Sequence, residues 1–382
     1  MSLILDSHRK YLSDAPRIAA FRKAIEEVVK PGALVVDLGS GTGILGLMAC
    51  RAGAARVYSI ESGSIIGLAR KIAADNGYGD RIQFIRGFST RVDVPEKVDV
   101  IISDQIGRMG FEAGVIQYFH DAIPRFLKPG GKLLPSAIEL WMSPVTSREL
   151  WENIEFWKNS PAELNFQAAS GIAGNTGYPI HYSAQQLLAK PACGATVDLY
   201  HANPDSLIAA ASFEVEKDEV MHGLGAWFQA QLSPSVTMTN SPLAADRINR
   251  SNVFLPIQQP VQVKPGDRVS AKLRIVPSEI LASWSITVET GIRAGTPRKQ
   301  RFAHSVLLGM LLSQEDLDKT SLGSSPKLTP WGEARRTILE LVDGRRPLDE
   351  IERELLRRHP DLFPSLKQAA VFVAEVVTRY TV

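Results

Sequence analysis

The run Val35-Val36-Asp37-Leu38, followed by Gly39-Ser40-Gly41-Thr42-Gly43 and then Ile44-Leu45-Gly46-Leu47-Met48-Ala49, constrains this chain more than any other stretch. A β-branched strand passes through a glycine-rich turn into a helix. Glycines at alternate positions let backbone amides approach a ligand closely, and the helix N-terminus beyond them favours anionic groups. A cofactor cradle is expected there. Gly41-x-Gly43-x-x-Gly46 also satisfies the dinucleotide string Gly-x-Gly-x-x-Gly, so the turn alone does not name the cofactor.

The surrounding pattern supplies the frame. From about residue 17 to 135 helices and strands alternate: helix 18–29, strand 34–38, helix 43–52, strand 56–60, helix 63–76, strand 82–86, strand 98–103 and helix 112–127. Such alternation predicts an α/β fold with a doubly wound parallel sheet, whose ligands sit beyond the carboxyl ends of the strands. Gly39, Glu61 and Asp104 all fall at such ends. Asp37 at the strand end, the packed Asp-x-Gly-x-Gly-Thr-Gly, and Glu61 closing Val57-Tyr58-Ser59-Ile60 favour S-adenosylmethionine, because a carboxylate so placed can accept both ribose hydroxyls.

Lys128-Pro129-Gly130-Gly131 reads as the turn that closes this first domain, 1–135. β-rich segments at 138–145, 207–215, 224–232, 252–257, 268–276 and 284–289 then predict an antiparallel barrel or sandwich over 136–302, with a helical and loop-like arm inserted at about 155–190. A third, helical unit is expected over 303–382, with helices at 332–342, 348–358 and 365–380.

Two acids follow the strand 98–103: Asp104 and, across a glycine-bearing loop, Glu112. Two carboxylates folded toward one point would clamp a planar guanidinium and orient it for methyl transfer. The competing reading makes them solvated or capping groups, with Glu112 in the first turn of the following helix. Other residues draw structural readings. His120 and His222 sit among apolar neighbours as core histidines, Cys50 and Cys193 pack, and Trp151 and Trp157 lie on one face of an amphipathic helix. No pair of histidines has metal spacing, and direct methyl transfer requires no metal. The 43 basic and 41 acidic residues leave a formal charge of +2, so no global field recruits nucleic acid or membrane. Two cysteines without a framework and a charged N-terminal decapeptide point to a cytoplasmic location.

Over roughly residues 8 to 290 the chain resembles the protein arginine methyltransferases. His8-Arg9-Lys10-Tyr11-Leu12-Ser13-Asp14-Ala15-Pro16-Arg17 is similar to that family's His-Glu-Glu-Met-Leu-x-Asp-x-x-Arg helix, and Asp37 through Leu45 to its Asp-x-Gly-x-Gly-Thr-Gly-Ile-Leu. Phe126-Leu127-Lys128-Pro129-Gly130-Gly131 and His222-Gly223-Leu224-Gly225-Ala226-Trp227-Phe228 continue the match. The resemblance implies that Arg17 binds the cofactor's carboxylate, with Asp37, Gly39, Gly41, Gly43, Glu61, Ser62, Ser89, Thr90 and Asp104 around it. It also implies catalytic roles for Asp104 and Glu112, and a homodimer through the arm. Three departures stand out. Asp104 replaces a glutamate, the loop to Glu112 is one residue short, and Arg247-Ile248-Asn249 replaces Thr-His-Trp. The lost histidine leaves Asp14 in need of another partner, for which Arg247 is a candidate.

The helical tail, through Ile338-Leu339-Glu340-Leu341-Val342-Asp343-Gly344-Arg345-Arg346-Pro347-Leu348-Asp349-Glu350-Ile351, is similar to PqqD-like winged-helix domains, which implies capture of a leader peptide by strand addition. Glu350, Glu352 and Glu354 among its arginines favour intrahelical ion pairs over a phosphate-binding face. The expected activity is S-adenosylmethionine-dependent N-methylation of a guanidinium or amine nitrogen, in peptidyl arginine or a free guanidino compound. The alternatives are a small-molecule O-, N- or C-methyltransferase and a catalytically silent peptide-binding module.

Overall fold

The computed structural model describes residues 4–381 other than 160, 202–205, 278–280, 294 and 312. The chain divides into two compact units, Met1–Met310 and Leu311–Val382.

The first unit opens with α1 (Ile4–Leu12) and α2 (Ala15–Val28), then β1 (Leu34–Leu38), α3 (Ile44–Arg51), β2 (Arg56–Glu61), α4 (Ile66–Asp75), β3 (Ile82–Arg86), β4 (Val98–Ser103), α5 (Val115–Phe126) and β5 (Leu127–Leu134). The five strands form a parallel sheet in the order β3-β2-β1-β4-β5. Strand succession reverses between β1 and β4, which puts the crevice of the sheet beyond their carboxyl ends. β1 owes its central place to an unbroken buried run, Val35 to Leu38.

Two local expectations change. Lys128-Pro129-Gly130-Gly131 is not a turn between elements but an irregular stretch inside β5. Val98 pairs with Leu127 and Val100 with Lys132, so three residues of β4 face six of β5. Proline has no amide to donate and Gly130 adopts φ +75°, which lets the excess bulge outward. The helix expected from residue 112 begins at Val115, after Gly114 with φ +94°, so Glu112 belongs to the loop.

The chain continues through β6 (Ala137–Val145), α6 (Arg148–Glu155), α7 (Ala168–Ala173), β7 (Tyr178–Ile180), β8 (Ala192–Asp198), β9 (Leu207–Glu214), β10 (Glu219–Ser233), β11 (Val236–Thr239), β12 (Asn252–Val263), β13 (Arg268–Val276), β14 (Leu281–Thr290) and β15 (Arg298–Ser305). One antiparallel sheet runs β7-β12-β10-β6-β8, with β11 on β10, and the other runs β15-β14-β13-β9. β10 is the long central strand, hydrophobic on both faces, and its close neighbours explain its glycines: a Cβ on Gly223 would stand 2.3 Å from the Leu255 carbonyl oxygen. α6 turns Trp151 and Ile154 into a cluster with Tyr182, Trp227 and Phe254, and Trp157 packs against it. Cys193 is exposed on β8 rather than packed, and His120 is exposed on α5 rather than in the core.

The second unit contains α8 (Gln314–Thr320), α9 (Pro330–Leu341), α10 (Leu348–Arg358) and α11 (Leu366–Tyr380). Thr329 and Ser365 cap α9 and α11 by accepting the amides of Gly332 and Gln368, and Pro330 occupies the first helical turn. Ile338, Leu341, Ile351, Leu355, Phe363 and Val373 supply its core. Among its described residues there is no strand, hence no wing and no sheet edge for a peptide to join. Glu354 accepts from Arg357 at 2.7 Å and Arg358 at 2.6 Å, and those partners bring its carboxyl down to about 2. No described helix is long and apolar enough to cross a membrane.

Leu355→Ala should empty the centre of this small core and cost the second unit about 2–5 kcal/mol, since Leu355 is fully buried. Hydrogen exchange of α9–α11 measures it. Unchanged protection there would show that these helices do not share one cooperative core.

Candidate active site

The turn after β1 is built on positive backbone angles. Gly39 lies at φ +70° and Gly41 at φ +55°, and each stands where a side chain would collide. A Cβ on Gly39 would come 2.5 Å from Gln105 Nε2, and one on Gly41 would come 2.7 Å from His8 Cε1. Glu61, at the end of β2, fixes the turn. One carboxylate oxygen accepts the Gly41 amide at 2.9 Å and the other accepts the Gly63 amide at 2.7 Å. Gly43 caps α3 below them.

Asp37 sits inside this cradle, fully buried. One oxygen accepts the Gly46 amide at 3.0 Å, while Oδ1 has no partner. Burial pushes its carboxyl up to about 7, with the Gly46 amide opposing and the Glu61 charge adding to the rise.

Two recesses meet over the turn. One, of about 280 Å³, is lined by Tyr11, Arg17, Gly41, Thr42 and Asp104; the other, of about 80 Å³, by Glu61, Ser62, Phe88, Ser89 and Tyr118. Gly39 and Gln105 line both. Arg17, Gly39, Gly41, Glu61, Ser62, Ser89 and Asp104 therefore border one continuous groove. Asp37 and Gly43 support it from beneath, and Thr90 is exposed and lines neither recess.

At the far end the charges pair. Asp14 caps α2 and also accepts the Asn249 amide at 2.8 Å, which takes the place expected for Arg247; Arg247 instead donates to the Tyr182 carbonyl at 2.9 Å. That cap orients the first turn of α2 and with it Arg17, whose side chain is 6 % exposed. Arg17 grips Asp104 Oδ2 through Nε at 2.6 Å and Nη2 at 2.5 Å, and donates to the Tyr11 carbonyl at 3.2 Å.

Asp104 has a second cation. Arg250 Nη2 lies 3.1 Å from Oδ2 and 3.3 Å from Oδ1, and Nη1 donates to the Gly107 carbonyl at 3.1 Å. Glu112 is engaged by its own loop: it accepts the amides of Arg108, Met109 (3.1 Å) and Phe111 (3.2 Å). Arg108 and Asn240 tie the loop down, with Arg108 Nε donating to Ser251 Oγ at 2.9 Å and Asn240 Nδ2 to the Arg108 carbonyl at 2.7 Å. Sequence reasoning missed Gln105, Asn240 and Arg250. Only Gln105, next to Asp104, carried a local signal. His222, by contrast, is buried as expected and accepts the Ser147 amide at 3.2 Å. Among the described residues no cluster of His, Cys, Asp and Glu is arranged for a metal ion.

Two family descriptions, both of methyltransferases, match successive segments of the chain. Residues 21–141 match the family described as ribosomal protein L11 methyltransferase, and residues 136–286 match the arginine methyltransferase oligomerization subdomain. A probable protein arginine N-methyltransferase 6 of Arabidopsis thaliana is 29% identical over 283 residues, which are 72% of this chain and 63% of that protein. Protein arginine N-methyltransferase 6 of Xenopus laevis is 25% identical over 72% of this chain and 84% of its own length. These relatives liken the chain to the protein arginine methyltransferase family. Among solved structures, the Trypanosoma brucei PRMT1 enzyme-prozyme heterotetrameric complex with AdoHcy superposes with TM-score 0.69 at 22% identity, covering 78% of this chain and 97% of that one. The chain spans less than two thirds of the plant relative, and β15 and the helical unit lie outside both matched segments. Of the two acids that follow β4, Glu112 meets loop amides and Asp104 faces two cations.

The Asp37 carboxyl yields a pH signature. Its folded value of about 7 lies above the ordinary 3.8, so between those values the unfolded chain loses the proton and the folded chain keeps it. Stability therefore falls as pH rises through that window, by about 4 kcal/mol from this group at the upper end. Asp37→Asn should flatten the decline in urea unfolding between pH 4.5 and 7. An unchanged slope would mean that Asp37 ionises normally in the fold.

Proposed function

We propose that this protein is an S-adenosylmethionine-dependent N-methyltransferase that modifies a guanidinium nitrogen, with arginine in a peptide or protein as the favoured acceptor and a free guanidino compound as the lesser one. The observation that carries this reading is the continuous groove from Arg17 and Asp104, across Gly39 and Gly41, to Glu61 and Ser89. The groove fits the cofactor. Its floor is a cradle that any side chain at Gly39 or Gly41 would fill, and its donor set offers a cation at one end and a carboxylate at the other. When bound, S-adenosylmethionine supplies a sulfonium methyl group for in-line transfer.

The residues of the chain divide the remaining tasks. Arg17, fixed by Asp104 and the Tyr11 carbonyl, would hold the amino-acid carboxylate of the cofactor. Glu61 would exchange the Gly41 amide for ribose hydroxyls, and Ser62 and Ser89 would border the base. Asp104 would orient the acceptor cation, and its neighbour Glu112 shapes the loop that presents it. Such positioning accounts for most of the rate in an in-line transfer. As the N–C bond forms and the S–C bond breaks, the guanidinium sheds one proton to solvent. The names borne by the relatives favour peptidyl arginine over a small metabolite. We also propose assembly as a homodimer through the 155–190 arm, a reading supported by the oligomerization match within which that arm falls.

Incubating the protein with S-adenosylmethionine and arginine-containing peptides, free arginine and methylguanidine, then weighing the products, tests the activity. Peptides heavier by whole methyl groups are expected; methyl transfer to none of these acceptors despite cofactor binding would sink the guanidinium reading. Glu61→Ala should weaken S-adenosylhomocysteine affinity about 10- to 100-fold by calorimetry, the value of one or two hydrogen bonds to a charged group. An unchanged affinity would place the ribose elsewhere.

A further inference from the structure

Arg250 is a second cation on a carboxylate that already has one. Its side chain is 11 % exposed, as is that of Asp104. Its guanidinium lies 5.8 Å from the Tyr11 ring and 5.9 Å from the Phe228 ring, an aromatic frame suited to any planar cation. We propose that Arg250 is a specificity-determining competitor: in the free protein its guanidinium occupies the acceptor's place on Asp104, and an acceptor enters by displacing it. The inference rests on the guanidinium-methylating reading above.

Three observations support displacement of Arg250 rather than Arg17. Arg17 holds Asp104 at 2.5 and 2.6 Å, whereas Arg250 stands off at 3.1 and 3.3 Å. Arg17 is fixed in α2, while Arg250 lies in the irregular segment between β11 and β12. The second acid offers no alternative seat, since loop amides hold Glu112. Charge fixes the consequence. Asp104 with Arg17 is neutral; with Arg250 added the three groups carry one net positive charge and repel a third guanidinium. Apparent affinity for the acceptor is then the intrinsic affinity scaled by the fraction of time Arg250 is away, so an Arg250 absent for about a tenth of the time weakens binding about tenfold.

The test compares the full-length protein with Arg250→Ala and Arg250→Lys. Two readouts are needed: KM and kcat for an arginine-containing peptide, and calorimetric affinity for methylguanidinium with S-adenosylhomocysteine saturating. Removal of the competitor should lower KM and tighten methylguanidinium binding, each about tenfold, with kcat changed far less than KM. Arg250→Lys keeps the charge and the stem but loses the fork, and should fall between the two. It also carries the test should Arg250→Ala fail to fold. Equal or weaker methylguanidinium binding in both variants would overturn the proposal and make Arg250 an anchor for the 104–112 loop. The two readings fail separately. Tighter methylguanidinium binding with neither peptide nor guanidine methylated leaves the competitor standing and removes the activity, and methylated peptide with unchanged affinities does the reverse.

Discussion

The Asp104 carboxylate, shared between Arg17 and Arg250, is the interaction on which the site depends. It joins α2, the end of β4 and the segment between β11 and β12, elements separated by more than 80 residues in each direction. Each pair is worth about 5 kcal/mol of gross attraction at an effective dielectric of 20, and desolvation of one buried and two partly buried charges offsets much of that. The remaining donors therefore matter. The Tyr11 and Gly107 carbonyls each take a guanidinium N–H, and the Tyr11, Phe21 and Phe228 rings lie beside the two cations. Satisfaction of these groups, more than net attraction, fixes the geometry.

The cofactor side shows a different economy of charge. Glu61 meets only backbone amides, from Gly41 and Gly63, and is half-buried. Asp37 lies one layer deeper with one oxygen unsatisfied, close to Ser59, whose hydroxyl is also without a partner. The cradle thus holds an acid that burial keeps largely protonated below neutrality, under a turn whose Gly41 amide donates to the Glu61 carboxylate. A cradle so constructed trades stability for a rigid floor.

What was legible in the sequence was local. The β1 strand, its glycine turn and α3 follow from adjacent residues. The central helices of the second unit were equally plain, because periodicity, caps and the Asp343-Gly344 stop agree. The errors were tertiary. β15 reads Arg-Lys-Gln-Arg-Phe-Ala-His-Ser, with Phe302 and His304 its buried residues, and pairing with β14 rather than propensity makes it a strand. β8 is built of small residues and is likewise held by its neighbour β6. Asn249 meets Asp14 through its backbone, a contact no side-chain pattern records, and Arg250 reaches Asp104 across 146 residues.

The departures at the acceptor end are physically connected. An aspartate carries its carboxylate one carbon–carbon bond, about 1.5 Å, closer to the backbone than a glutamate does. Arg17 grips that acid from α2, and Arg250 reaches it from the segment leading into β12. The shortened loop closes on itself by wrapping its amides around Glu112, and Asn240 and Ser251 hold it against the same segment. Shorter acid, shorter loop and inserted arginine form one rearrangement, since the Gly107 carbonyl that receives Arg250 lies within the loop that Glu112 shapes.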